Sequence, residues 1–155
     1  MQAVDLSTHP GHLARRLQQA HHLLWNAMVS QEITSPQFAV LNALTAEPGL
    51  DQRTVGERVG LDRSTVAEVI TRLLRRELLD KVRDPNDRRR SLLRLTDDGV
   101  DTHRRLATLT VRMNHVFLGP LSGDEQQTLL ALMHRVADAA EAFRVPDGAR
   151  SPADR

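Results

Sequence analysis

The sequence predicts a mainly α-helical chain that carries one small β-hairpin, and three observations lead there. Apolar residues recur at three- and four-residue steps over most of the length. Helix caps and Gly or Pro breakers punctuate those segments. One arginine-rich turn, inside "DPNDRRRSLLRLT" (Asp84 to Thr96), stands between two short apolar runs, as a hairpin requires.

The 155 residues are expected to form a single domain. There is no cysteine, which excludes disulfides, thiol chemistry and Cys-ligated zinc. No apolar run is long enough to cross a bilayer. The opening "MQAVDLSTHPGHLARR" lacks the basic-then-apolar order of a secretory signal, so the cytoplasm is the expected location.

The elements follow in order. Leu13, Leu17, Ala20, Leu24 and Met28 mark an amphipathic helix over about Leu6 to Ser30. "TSPQFAVLNAL" opens a second helix, with Ser35 as expected N-cap, Pro36 at its first position and Gly49 after its end. Asp51 can cap a short third helix, "QRTVGERV", which stops at Gly60. Asp62 or Ser64 can cap a fourth, whose buried stripe is Val66, Val69, Ile70, Leu73 and Leu74. Two short helices joined by a tight Gly-containing turn make a helix-turn-helix. "LLDKV" and "SLLRL" then form the hairpin, so the whole reads as a winged helix-turn-helix. Thr96 can cap a fifth helix that runs to about Phe117, before Gly119-Pro120. Ser122 and Glu125 form a capping box for a sixth, to about Phe143, and the polar tail reads as frayed. The first helix (6–33) and the last two (97–145) present more apolar surface than the small winged module (35–96) can cover. A symmetric homodimer through these helices is expected.

Charge separates the module from its flanks. From Arg63 to Arg94 ten basic residues face five acidic ones, although the chain as a whole is only +1. A local basic excess suits a phosphate-binding face. On the fourth helix Arg63, Ser64, Thr65 and Glu68 lie in the first two turns, opposite the buried stripe, where recognition-helix side chains meet DNA. Arg63 can read guanine, Ser64 and Thr65 can serve phosphates or bases, and Glu68 can accept from cytosine or support the helix. An arginine at a hairpin tip is drawn to the negative potential of a narrow minor groove. Asp87 is expected to orient a neighbouring arginine by an ion pair.

A second constellation points to a ligand. On the first helix Arg15, Gln18, His21 and Trp25 form a polar-aromatic band, with His21 and Trp25 one turn apart. A guanidinium, an imidazole and an indole together suit a small aromatic carboxylate. On the fifth helix His103, Ala107, Thr110 and Asn114 form a polar flank beside Leu106, Met113 and Phe117. Enzyme readings lack parts: there is no Gly-rich phosphate loop, nucleophile elbow or HExxH, and the seven histidines are scattered. No metal site or cofactor is expected.

The order of elements, the D-x-R wing with Asp87 and Arg89 followed by Leu95-Thr96, and the helix "LDRSTVAEVITRL" resemble the MarR family over about Gly11 to Phe143. The N-terminal half is most similar to its aromatic-acid sensors. The resemblance implies a winged-helix homodimer that represses from a double-stranded, pseudo-palindromic operator and leaves it on binding a small molecule. It implies that Arg89 enters the groove with Arg88 and Arg90 on phosphates. It also implies a pocket between the dimerisation helices and the winged module, holding Arg15, His21, Trp25, Met113 and Asn114, with Ser35 at its edge. The expected effector is a hydroxybenzoate such as protocatechuate. The alternatives are a sensor of bulkier lipophilic drugs and a constitutive architectural DNA binder. One departure stands out: many members carry Gly after the recognition helix where this chain has Glu77.

Overall fold

The computed structural model describes residues 5–87 and 89–141; Arg88 and the tail, which includes the expected helix end at 142–145, lie outside them. A short 3-10 turn, Leu6–Thr8, precedes six helices: α1 (Pro10–Met28), α2 (Ser35–Ala46), α3 (Gln52–Val59), α4 (Arg63–Arg75), α5 (Asp97–Leu118) and α6 (Gly123–Glu141). Between α4 and α5 lie β1 (Leu79–Arg83) and β2 (Ser91–Leu95), paired antiparallel from Leu79↔Leu95 to Arg83↔Ser91.

Two boundaries differ from the sequence reading. The first helix starts at Pro10, because a proline suits the first turn of a helix and not its interior. The N-cap of α2 is Thr34, not Ser35. Thr34 Oγ1 accepts from Gln37 N while Gln37 Oε1 accepts from Thr34 N, a reciprocal box that Ser35 could not close.

The helix-turn-helix is fastened by its caps. Asp51 accepts from Thr54 N at the start of α3, and Gly60 ends α3 in the left-handed region at φ 69°. Asp62 accepts from the backbone of Ser64 and Thr65 to start α4. Val66, Val69, Ile70 and Leu73 of α4 join Val40, Leu41 and Leu44 of α2, Val55 of α3 and Leu79 and Leu93 of the hairpin in one core. Trp25 of α1 and Leu106 and Met113 of α5 complete it. At the end of α4 the N–H of Leu78 reaches Leu73 O and that of Glu77 reaches Leu74 O, with Glu77 at φ 56°. This is a Schellman ending, built on a residue with a side chain where glycine is favoured. Gly99, in the first turn of α5, lies so close to the hairpin that a Cβ there would sit 2.1 Å from Leu78 O.

The chain divides into two compact units at the Phe117–Leu118 junction. In the second, Ser122 and Glu125 close the expected capping box, and α6 buries none of its described residues. Leu130, Leu132, Met133 and Val136 are exposed on it. In the first unit the expected stripe of α1 is also open: Leu13 and Leu17 are exposed, and only Trp25 of that helix is fully buried.

Candidate DNA face and effector cavity

Two sites share α4. Its outer face begins with exposed Arg63 and Ser64 and half-buried Thr65. Both hydroxyls turn back on the helix cap: Ser64 Oγ donates to Asp62 Oδ1 at 2.6 Å and Thr65 Oγ1 to Asp62 Oδ2 at 2.5 Å. Those four donors hold the Asp62 carboxyl well below its ordinary range. Ser64 and Thr65 therefore reach outward through hydroxyl lone pairs rather than through a free donor. Glu68 is exposed and paired with Arg72 one turn on.

The wing turn is shaped by the backbone. Asp84 Oδ1 accepts from Asn86 N at 2.8 Å, and Asp87 Oδ1 accepts from Arg89 N at 2.9 Å. Asp87 thus holds Arg89 by its backbone N–H in an Asx turn, and its charge also acts on Arg90. Arg89 is exposed at the tip. Arg90 instead reaches across to Asp51 Oδ2 at 2.5 Å, so it braces the wing against the cap of α3. The backbone N–H of Thr54 and the Arg90 guanidinium, working against partial burial, pull the Asp51 carboxyl down to about 2.

Beside α4 lies a cavity of about 430 Å³. Gln18, His21 and Trp25 of α1, Thr34, Ser35 and Gln37 at the start of α2, and Thr65, Glu68, Val69 and Arg72 of α4 line it. The His21 and Trp25 rings stack at 6.2 Å, and Phe117 meets His21 edge-on at 5.7 Å. Trp25 is only 2% exposed, and its Nε1–H donates to Ile33 O at 2.7 Å, so its polar atom is already satisfied within the protein. Burial, with the neighbouring His22, pushes the His21 pKa below its ordinary value and favours neutral imidazole.

The cavity brings together His21, Trp25 and Ser35 from the expected ligand set. It does not bring in the others. Arg15 is exposed, with Nη1 lying back toward Gly11, 3.7 Å from where a Cβ on that glycine would stand. Met113 is wholly buried in the core and Asn114 is exposed. The α5 flank faces α2 at His103, whose ring stacks on Phe38 at 5.5 Å and whose Nε2 lies 3.0 Å from Asn42 Oδ1. Sequence reasoning missed Thr34, Gln37 and Arg72. The i,i+4 spacing of Glu68 and Arg72 was visible, but not that their side of α4 turns toward α1. Among the described residues no cluster of His, Asp or Glu could hold a metal ion, and no helix is long and apolar enough to cross a membrane.

Comparison with known proteins supplies the family. The sequence pattern described as MarR family matches residues 31–90, which hold α2, α3, α4, β1 and most of the wing turn. The transcriptional regulator HosA of Escherichia coli O111:H- is 31% identical over 128 residues, covering 83% of this chain and 94% of its own. The crystal structure of the PcaV transcriptional regulator from Streptomyces coelicolor in complex with its natural ligand is 75% identical. It superposes with a TM-score of 0.87 over 90% of this chain and 99% of that one. A structure of Bordetella bronchiseptica BpsR, describing regulation of its DNA binding by 6-hydroxynicotinic acid, is 30% identical, with a TM-score of 0.75 over 82% of this chain and 97% of that one. With its helix-turn-helix, its hairpin wing and relatives that match nearly end to end, the chain belongs to the MarR family of transcriptional regulators.

Proposed function

We propose that the chain is a homodimeric transcriptional repressor that binds a pseudo-palindromic operator and is released by a small aromatic carboxylate. It works by binding, not catalysis, in the cytoplasm. The observation that carries this reading is the cavity, whose wall is shared between the polar-aromatic band of α1 and the recognition helix α4. A molecule seated there touches the element that reads DNA.

The winged module, 35–96, meets the operator. Arg63, Ser64, Thr65 and Glu68 enter the major groove, Arg89 enters the minor groove, and Arg88 and Arg90 lie nearest the backbone. The helices of 6–33 and 97–145 form the dimer, a role supported by the exposed Leu13, Leu17, Leu132, Met133 and Val136. His21, Trp25 and Ser35 receive the ring of the effector. Arg15 needs only to swing from its place over Gly11 to reach the mouth of the site beside Gln18. Met113 acts from the core cluster that it shares with Trp25, and Asn114 borders the site in the ligand-bound dimer.

The polar wall (Gln18, Thr34, Gln37, Thr65) favours a hydroxybenzoate such as protocatechuate over a bulky lipophilic drug. PcaV with its natural ligand and BpsR with 6-hydroxynicotinic acid support effector control in close relatives. An operator selected from random duplexes tests the reading by fluorescence anisotropy. Release by 3,4-dihydroxybenzoate and not by a lipophilic drug panel is expected. Release by the drugs alone supports the bulky-ligand alternative, and release by neither supports a constitutive binder.

A further inference from the structure

We propose that the Glu68–Arg72 ion pair is an anion gate: the effector carboxylate takes Arg72 from Glu68 and so writes its presence onto the recognition helix. The proposal rests on the reading of the cavity as an aromatic-acid site. Among the described residues that line the cavity, Arg72 supplies the one guanidinium. A carboxylate entering beside His21 and Trp25 meets that cation, while Arg15 lies back along α1. Arg72 already holds a carboxylate, that of Glu68, four residues before it on the same face. Both side chains are more than half exposed, 57% and 64%, so the internal pair is weak and can be exchanged at little cost. Glu68 engages the guanidinium through one oxygen, whereas an aromatic carboxylate can pair with it bidentately and brings ring contacts besides.

The exchange has a consequence along that same exposed face of α4. Glu68 projects from the second turn, and the Glu68–Arg72 pair is electrically neutral as it stands. Once the effector neutralises Arg72, the Glu68 carboxylate is left unpaired beside the polyanionic operator. Effector and DNA then oppose each other through one residue, and the opposition is reciprocal.

The test uses the full-length chain without DNA, with 3,4-dihydroxybenzoate as probe and the emission of Trp25 as readout, corrected for probe absorption. Arg72→Gln should raise the Kd for the acid at least tenfold. Glu68→Gln, which removes the competitor, should lower it several-fold. In the double variant the Glu68→Gln gain should vanish, because there is no guanidinium left to release. The neutral 3,4-dihydroxybenzamide should bind all four proteins alike. Unchanged acid affinity in both single variants, with wild type binding normally, overturns the gate and leaves the cavity reading standing. Equal losses for acid and amide in Arg72→Gln overturn it too, since they report packing rather than charge. If wild type binds neither compound, the cavity reading fails and the gate with it.

Discussion

Arg89 and Arg90 are adjacent in sequence and differ in what holds them. Arg89 has its backbone tied to Asp87 and its side chain in solvent, whereas Arg90 is engaged by Asp51. Arg89→Ala should therefore weaken operator binding and reduce the salt slope by about 1 while leaving the melting temperature unchanged. Equal affinity in wild type and variant would remove the wing tip from the interface. Arg90→Ala should instead lower the melting temperature slightly, and the effect should depend on acid. The Asp51 carboxyl titrates at about 2, below its ordinary 3.8, so its stabilising contribution is full above 3.8 and is lost as pH falls toward 2. Melting curves between pH 5 and pH 2 should show a shallower loss in Arg90→Ala than in wild type. The histidines run on a separate window. Burial lowers the pKa of both His21 and His103 from 6.5, so the unfolded chain binds protons that the folded one does not. Stability is complete above pH 6.5 and declines as pH drops below it. His103→Gln should flatten that decline, and a decline of unchanged slope would take His103 out of the account.

Four helix starts were legible from a side chain and a backbone donor within three residues of each other. Asp51, Asp62, Thr96 and Ser122 all cap as their spacing indicates. The start of α2 was misplaced by one residue because Pro36 drew attention to the first helical position. T-x-x-Q, the pattern that decides it, was there to be read in Thr34 and Gln37. What local pattern could not supply was the facing of whole helices. Met113 belongs to an apolar stripe that is core and not cavity, and Arg72 belongs to a charged face that is cavity as well as surface. Each outcome depends on which helix packs behind, a fact of tertiary structure. Glu77 shows the reverse case, a sequence oddity with a definite backbone meaning. Its φ of 56° is a left-handed turn that costs a non-glycine residue roughly 1–2 kcal/mol. Glu77→Gly should raise the melting temperature by about 2–4 °C per kcal/mol recovered, read by calorimetry. A lower melting temperature would mean that the Glu77 side chain contributes more than its backbone strain costs.

At the scale of the whole molecule the notable quantity is apolar surface left in water. Leu13 and Leu17 on α1, Val111 and Val116 on α5, and Leu132, Met133 and Val136 on α6 are all exposed, and those of α1 and α6 recur at three- and four-residue steps. Scattered exposed apolar residues are ordinary, but stripes along both terminal segments of a chain with a well-formed central core mark surfaces for a partner. A second copy satisfies them symmetrically and also holds two recognition helices for two half-sites about 34 Å apart. On the proposed reading, an effector in the cavity beside each α4 can also act by a small change in that separation. The double variant Met133→Glu, Val136→Glu places four extra charges in a dimer interface and none in the winged module. It should be monomeric by light scattering, fold its module normally by circular dichroism, and bind the full operator about 10²–10⁴-fold more weakly as the linked second contact is lost. On a single half-site it should bind as well as a wild-type subunit does. If the variant stays dimeric, α6 does not form the interface. If it is monomeric yet keeps full operator affinity, the two recognition helices do not act together, and a spacing-based release by effector would have no lever to pull.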